Sequence, residues 1–214
     1  MGRSKETVLG IDIGGTKIRF IYAGKFREYP TPKNKKDFIK LIKGFPEADK
    51  IGIAVAGVTH GPGVAFAPNI KYLKNFDFRQ FGWKMNKFKV NNDARAFIRA
   101  EAGNRKNILG ITIGTGIGRA ISGKRIKSFE HPVKWEKEYQ KIRDKKEVTK
   151  LAEFLSEKIN SIAQKRKPRL IILGGGVLHR KGLLEMLQKG IKTKVERAKL
   201  LPKSGAIGAA MLWD

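Results

Sequence analysis

Val8-Leu-Gly-Ile-Asp12-Ile-Gly14-Gly15-Thr16-Lys17-Ile-Arg19-Phe-Ile-Tyr22 carries the strongest indication of topology in this chain. An apolar run from Val8 reaches a Gly-Gly bend, and Lys17 to Tyr22 returns as the hairpin partner. A Walker loop needs Gly-x-x-x-x-Gly-Lys-Ser/Thr leading into a helix. A dinucleotide fingerprint also opens a helix. This turn leads back into a strand, so it is neither. At such a bend, backbone N–H groups and the Thr16 hydroxyl can close on phosphate oxygens. Asp12, just before it, sits where a carboxylate holds Mg²⁺ through water. A plain Gly-Gly hairpin with Asp12 as a turn residue fits the same local pattern, so the rest of the chain decides.

Two further glycine turns follow apolar strands. Gly114-Thr115-Gly116 repeats the arrangement of two glycines around or beside a hydroxyl donor. Gly174-Gly175-Gly176 ends a strand before a helix and leaves no side chain between an adenine ring and the backbone. Between these turns lies Asn91-Asn92-Asp93-Ala-Arg-Ala96. Asp93 follows the strand end Phe88 to Val90 and stands near the N-cap of a helix running to Ala102. It reads either as a capping aspartate or as the carboxylate that takes a hydroxyl proton during phosphoryl transfer.

Lys25 to Tyr29 gives a third strand, residues 34 to 45 an amphipathic helix, and Ile51 to Ala56 a buried strand. Gly57 to Asn69 is dense in Gly and Pro and reads as loop or short hairpin. The second half repeats this outline loosely. Ile108 to Ile113 and Arg119 to Ile121 bracket a glycine turn, and Arg169 to Leu173 is another buried strand. A long lysine-rich helical stretch covers Trp135 to Ala163. Gly205 to Leu212 forms a last packing helix. The expectation is an α/β chain of two related lobes, residues 1–91 and 92–214, with a cleft between them.

No cysteine is present, which excludes disulfides, thiolate catalysis and a cysteine-built zinc site. No apolar run approaches the roughly 20 residues of a membrane span, and the N-terminus offers no signal-peptide h-region. A cytoplasmic protein is expected. Lys and Arg total 46 against 19 Asp and Glu, for a formal charge of +27. One reading is nucleic-acid binding; the other is a solvated basic surface that draws anionic nucleotides inward. The lysines are spread over nearly every segment and no nucleic-acid motif accompanies them, which favours the second.

In combination these residues resemble the ROK (repressor, open reading frame, kinase) family of sugar kinases within the actin-like ATPase superfamily. The resemblance runs through Leu9 to Arg19, Gly52-Ile-Ala-Val-Ala-Gly57, Ala67-Pro-Asn69, Asn91 to Ala96, Gly110 to Gly118, Ile171-Ile-Leu-Gly-Gly-Gly176 and Ser204-Gly-Ala-Ile-Gly-Ala-Ala210. It implies a two-lobed, ribonuclease H-like fold and a kinase using Mg²⁺-ATP, with Asp93 as catalytic base. Asp12, Gly14, Gly15, Thr16, Lys17, Gly114, Thr115, Gly116 and Gly174 to Gly176 would bind the nucleotide. Asn69, Asn92 and Asp93 would contact the hydroxyls of a sugar or polyol. Dimers are common among such relatives.

Departures from the family pattern are as informative. A Gly-Glu-x-Gly-His element normally follows the second phosphate turn, its Glu and His holding the sugar. Here Ser128-Phe-Glu130-His131-Pro132 stands in its place, and the resemblance implies the sugar-holding role for Glu130 and His131. Neighbouring residues on an extended chain point to opposite sides, unlike a Glu and His three apart. Arg119 replaces a glycine, the cysteine zinc motif is absent, and the chain is shorter than the usual member. The alternative reading is therefore a non-catalytic or regulatory nucleotide-binding protein that kept the ATP cradle and uses its basic surface on nucleic acid.

Overall fold

A computed structural model describes residues 6–129 and 133–214. Glu130 and His131, the expected sugar pair, lie outside the described residues. The chain divides into two compact units. The first ends at Ala100 and also takes in Lys203–Asp214; the second is Glu101–Pro202. The expected boundary at residue 92 thus moves to the far end of the helix that follows it, and the last segment joins the first unit.

In the first unit, β1 (Val8–Ile13), β2 (Lys17–Tyr22) and β3 (Lys25–Pro30) form an antiparallel meander. The N-cap Asn34 starts α1 (Lys35–Lys43), its side chain accepting the Asp37 N–H, and Phe38 and Ile42 are buried. β4 (Lys50–Val55) returns parallel to β1. A small sheet follows, made of β5 (Val58–His60), β6 (Gly63–Phe66) and β7 (Phe76–Asp77). β8 (Phe88–Asn92) then adds parallel to β4 and feeds α2 (Asp93–Ala102). The main sheet runs β3-β2-β1-β4-β8. β1 and β4 are apolar and buried almost throughout, as central parallel strands must be. The edge strand β3 is mostly exposed and carries Lys25, Arg27 and Glu28, charges that deter further strand pairing.

The second unit repeats the scheme. β9 (Ile108–Ile113), β10 (Ile117–Ile121) and β11 (Lys127–Ser128) are antiparallel. α3 (Val133–Asp144) and α4 (Val148–Arg166) follow, then β12 (Leu170–Gly174), α5 (Leu183–Gly190) and β13 (Val195–Arg197). Both β12 and β13 add in parallel, giving the order β11-β10-β9-β12-β13. The loose sequence repeat is therefore a repeat of topology. The single helical stretch expected from Trp135 to Ala163 is two helices, broken where Lys146 takes φ 59°. Its apolar face is as expected: Leu151, Leu155, Ile159 and Ile162 join Ile111, Ile171 and Leu187 in the core.

The last helix, α6 (Ser204–Ala210), lies backbone to backbone on the first unit's sheet. A Cβ on Gly52 of β4 would run into the Ala209 carbonyl, and one on Gly10 of β1 into the Ala206 carbonyl. This contact has no room for a methyl group. Gly52→Ala should therefore destabilise the protein by about 1–3 kcal/mol through overpacking, read as a lower midpoint of urea unfolding. An unchanged midpoint would mean that α6 can lift off the sheet at no cost.

Candidate functional site

Register sets the geometry of the first unit. Ile13 pairs with Val55 across β1 and β4, and Val55 with Asn92 across β4 and β8. The three parallel strands stop level, so the turns leaving them form one row along the carboxyl edge. β1 and β8 are two strand spacings apart, roughly 10 Å. Ligands of open α/β sheets bind outside this edge. The row contains the Gly14-Gly15-Thr16 turn, the Ala56-Gly57 turn and Asp93.

Side chains tie the row together. The Asn92 amide donates to the Gly57 carbonyl at 2.9 Å and to Asp93 Oδ1 at 3.0 Å. Its own Oδ1 accepts the N–H of Ala94 at 3.0 Å and of Arg95 at 3.3 Å. Asn92 is therefore the cap of α2, in place of the expected Asp93, which becomes the first helical residue. The Asp93 carboxylate accepts the Ala94 N–H at 2.8 Å and is half-buried. At the other end of the row, Asn69 lies against the first glycine turn: a Cβ on Gly15 would fall 2.7 Å from that of Asn69. Thr16 and Asn69 are both exposed.

Asp12 and Lys17 are more constrained than the sequence suggests. Arg19, the cross-strand partner of Asp12, reaches its carboxylate at 3.4 Å and bonds Glu28 on the next strand at 2.8 Å. Lys17 is also engaged with Glu28. Lys17 first and then Arg19 hold the Glu28 carboxyl below its usual range. Asp12 is closed in on the other side by α6, since a Cβ on Gly205 would lie 2.5 Å from its carboxyl carbon. Burial raises the Asp12 pKa above 3.8, and Arg19 partly opposes the rise. Among the described residues no three acidic, His or Cys side chains gather as a metal cage. A single carboxylate such as Asp12 still suits Mg²⁺, which typically binds through one or two carboxylates together with nucleotide phosphates and water.

In the second unit, the Gly114-Thr115-Gly116 turn closes with Gly114 N–H on Gly116 O at 2.9 Å. Helix α3 lies against it. Tyr139 donates its hydroxyl to Gly114 O at 2.5 Å, and Arg143 donates to the carbonyls of Gly114 and Thr115. Burial pushes the Tyr139 pKa up to about 12, so the phenol keeps its donor proton. Gly174 pairs with Thr112, which puts the third glycine turn beside the second at the carboxyl edge of β12 and β9. Gly175, at φ 102°, stacks on the Ile113 backbone. Gly176 differs: it is exposed, and a Cβ there would meet nothing within 4 Å. Neither packing nor a positive φ requires glycine at 176, so the open space fits a flat ligand. Thr31, Tyr139 and Arg143, which contact the turns, escape local sequence reading. They sit at a strand end and on a lysine-rich helix, with no spacing to link them to glycines many residues away.

The ROK family model matches residues 8–127, more than half of the chain, and the chain belongs to that family. Among solved structures, it is similar to an inorganic polyphosphate/ATP-glucomannokinase from Arthrobacter sp. strain KM. The TM-score is 0.77 at 22% identity, over 97% of this chain and 98% of that one. A ROK glucokinase from Streptomyces griseus, in complex with glucose and AMPPNP, gives 0.73 at 22%, over 96% and 98%. A ROK transcriptional regulator, described as a homolog of E. coli MLC, gives 0.72 at 13%, over 96% of this chain and 77% of that one. These identities show a shared fold. No curated protein matches the sequence. Among the described residues no helix is long and apolar enough to cross a membrane.

The raised pKa of Asp12 has a measurable consequence in metal-free buffer. Its folded value lies above the 3.8 of the unfolded chain. The stability carried by the protonated form is thus present below pH 3.8 and lost as pH rises through the folded value. Asp12→Asn, which cannot ionise, should melt at a higher temperature than wild type near neutral pH, and the gain should shrink in acid. A variant that melts lower at neutral pH would mean that the ionised carboxylate stabilises the fold.

Proposed function

We propose that the protein is an ATP-dependent kinase acting on a hydroxyl of a sugar or sugar-like polyol. The observation that carries this reading is the transfer of the capping role to Asn92. With α2 capped by its neighbour, Asp93 is not needed as a cap. It stands in one row with the first glycine turn, roughly 10 Å along the edge by strand spacing. Phosphoryl transfer asks little covalent help of a protein: positioning, charge neutralisation and one carboxylate for the hydroxyl proton. Asp93 takes that proton, Asn92 steadies it, and Asn69 and Asn92 hold substrate hydroxyls. Gly14 to Thr16 and Gly114 to Gly116 hold phosphates, while Gly174 to Gly176 supply a surface for the base. Mg²⁺ arriving with the nucleotide would be held by Asp12, and it would supply positive charge to the phosphates. The glucose and AMPPNP bound by the Streptomyces griseus relative support the same substrate classes here.

A second reading keeps nucleotide binding and drops catalysis, in the manner of a regulator. The transcriptional regulator among the similar structures and the charge of +27 favour it.

An ADP-release screen over sugars and polyols, with a no-acceptor control, separates the two. A kinase releases ADP only with a particular acceptor, and Asp93→Asn should lose about 10²–10⁴-fold in turnover while still binding ATP. Wild-type turnover in that variant would remove Asp93 from the mechanism. A regulator would give no acceptor-dependent ADP and would bind DNA with affinity falling steeply as salt rises.

A further inference from the structure

The two hairpin turns share a feature that their sequences do not. In the first unit, the Thr31 hydroxyl donates to Gly14 O at 2.6 Å, and the Thr31 N–H donates to Thr16 O at 3.0 Å. In the second, the Tyr139 hydroxyl donates to Gly114 O at 2.5 Å, and Arg143 donates to Gly114 O and Thr115 O. Gly14 and Gly114 are equivalent, since each directly follows the last residue of its strand. Each turn thus has the carbonyl of its leading glycine tied to a hydroxyl brought from outside the hairpin.

The consequence follows from the peptide unit. A trans peptide is planar, with its C=O and N–H on opposite sides. Pinning Gly14 O turns the Gly15 N–H the other way. Pinning Gly114 O and Thr115 O turns the N–H groups of Thr115 and Gly116 away from the Tyr139 hydroxyl and the Arg143 guanidinium. Glycine accepts either sign of φ at little cost, so an untied Gly-Gly or Gly-Thr-Gly turn can rotate a peptide. A carbonyl dipole would then sit where a phosphate needs a donor.

We infer that Thr31 and Tyr139 are positioning residues: hydroxyl latches that lock the two glycine turns with their amides presented to phosphate. Arg143 reinforces the second latch. The Arg143 guanidinium is itself held by Asp144 at 2.7 Å, and Arg180 donates to the Arg143 backbone carbonyl at 2.7 Å. The inference rests on the kinase reading only in taking the turns as phosphate holders. The two latches come from unrelated places, the end of β3 and the middle of α3, so the shared hairpin topology does not by itself produce them.

The test compares Mg²⁺-ATP with adenosine as ligands, by calorimetric titration of the full chain. Thr31→Val and Tyr139→Phe remove one hydroxyl each at nearly constant shape, and Thr31→Ser keeps it. Each hydroxyl-less variant should weaken ATP about 2- to 10-fold while leaving adenosine affinity unchanged. Thr31→Ser should restore the wild-type ratio. Thermal melts of all three accompany the titrations. A lower melting temperature with an unchanged ATP-to-adenosine ratio would make the hydroxyls merely structural and overturn the latches. A wild-type protein that binds ATP no more tightly than adenosine would overturn the phosphate role of the turns, and the latches with it.

Discussion

The level ending of β1, β4 and β8 is the constraint on which the first unit's candidate chemistry depends. Parallel pairing advances in fixed steps, and a slip by one residue would turn every side chain to the opposite face. With Ile13, Val55 and Asn92 in register, the buried faces of three apolar strands and the polar row beyond them are fixed together. The core residues Leu9, Ile11, Ile53 and Phe38 therefore do more than exclude water. By specifying register they determine which residues leave the sheet at its carboxyl edge. α6 reinforces the arrangement from one face, because its backbone fits only where β1 and β4 carry glycine.

The second unit applies the same sheet order to different ends. Its β9–β10 hairpin has a turn one residue shorter than that of β1–β2: Ile113 pairs with Ile117, whereas Ile13 pairs with Ile18. Where the first unit supports its turn with a threonine at a strand end, the second uses α3. That helix brings three side chains to the turn at helical spacing: Glu136 within contact of Gly116, then Tyr139 and Arg143 on the carbonyls. Positions three, four and seven apart share one helix face. The same face seats Tyr139 in the core, so core packing and turn support are one interaction.

Much of this was legible in the sequence because it is local. Alternation and apolar runs gave the strands, and glycines at the ends of apolar strands gave the turns. The order of motifs gave the family. What was not legible arises from contacts between segments far apart in the chain. The break between α3 and α4 falls at Lys146, a residue type with no preference for positive φ. Asn92 and Asp93 are both common caps, and only the hydrogen bonds decide between them. Nothing near Asp12 in sequence announces that Gly205 will close over it. The assignment of the last helix to the first unit has the same origin, since it depends on a backbone contact between residues 10, 52, 206 and 209.

Asp12 shows why such non-local contacts bear on function. A carboxylate enclosed by a helix on one side and met by a single guanidinium at 3.4 Å on the other is poorly compensated for burial. Arg19 is shared with Glu28, where its bond is shorter. An apolar or amide side chain would serve the fold better at this position. Residues that break a local rule without a compensating gain concentrate at working sites. Asp12 immediately precedes the level strand ends and the first glycine turn, where, under the proposed function, a nucleotide would bring both phosphate and Mg²⁺. A divalent cation there would supply the positive charge that the protein itself provides only in part. On that argument, a residue unfavourable to the isolated fold is suited to the bound state.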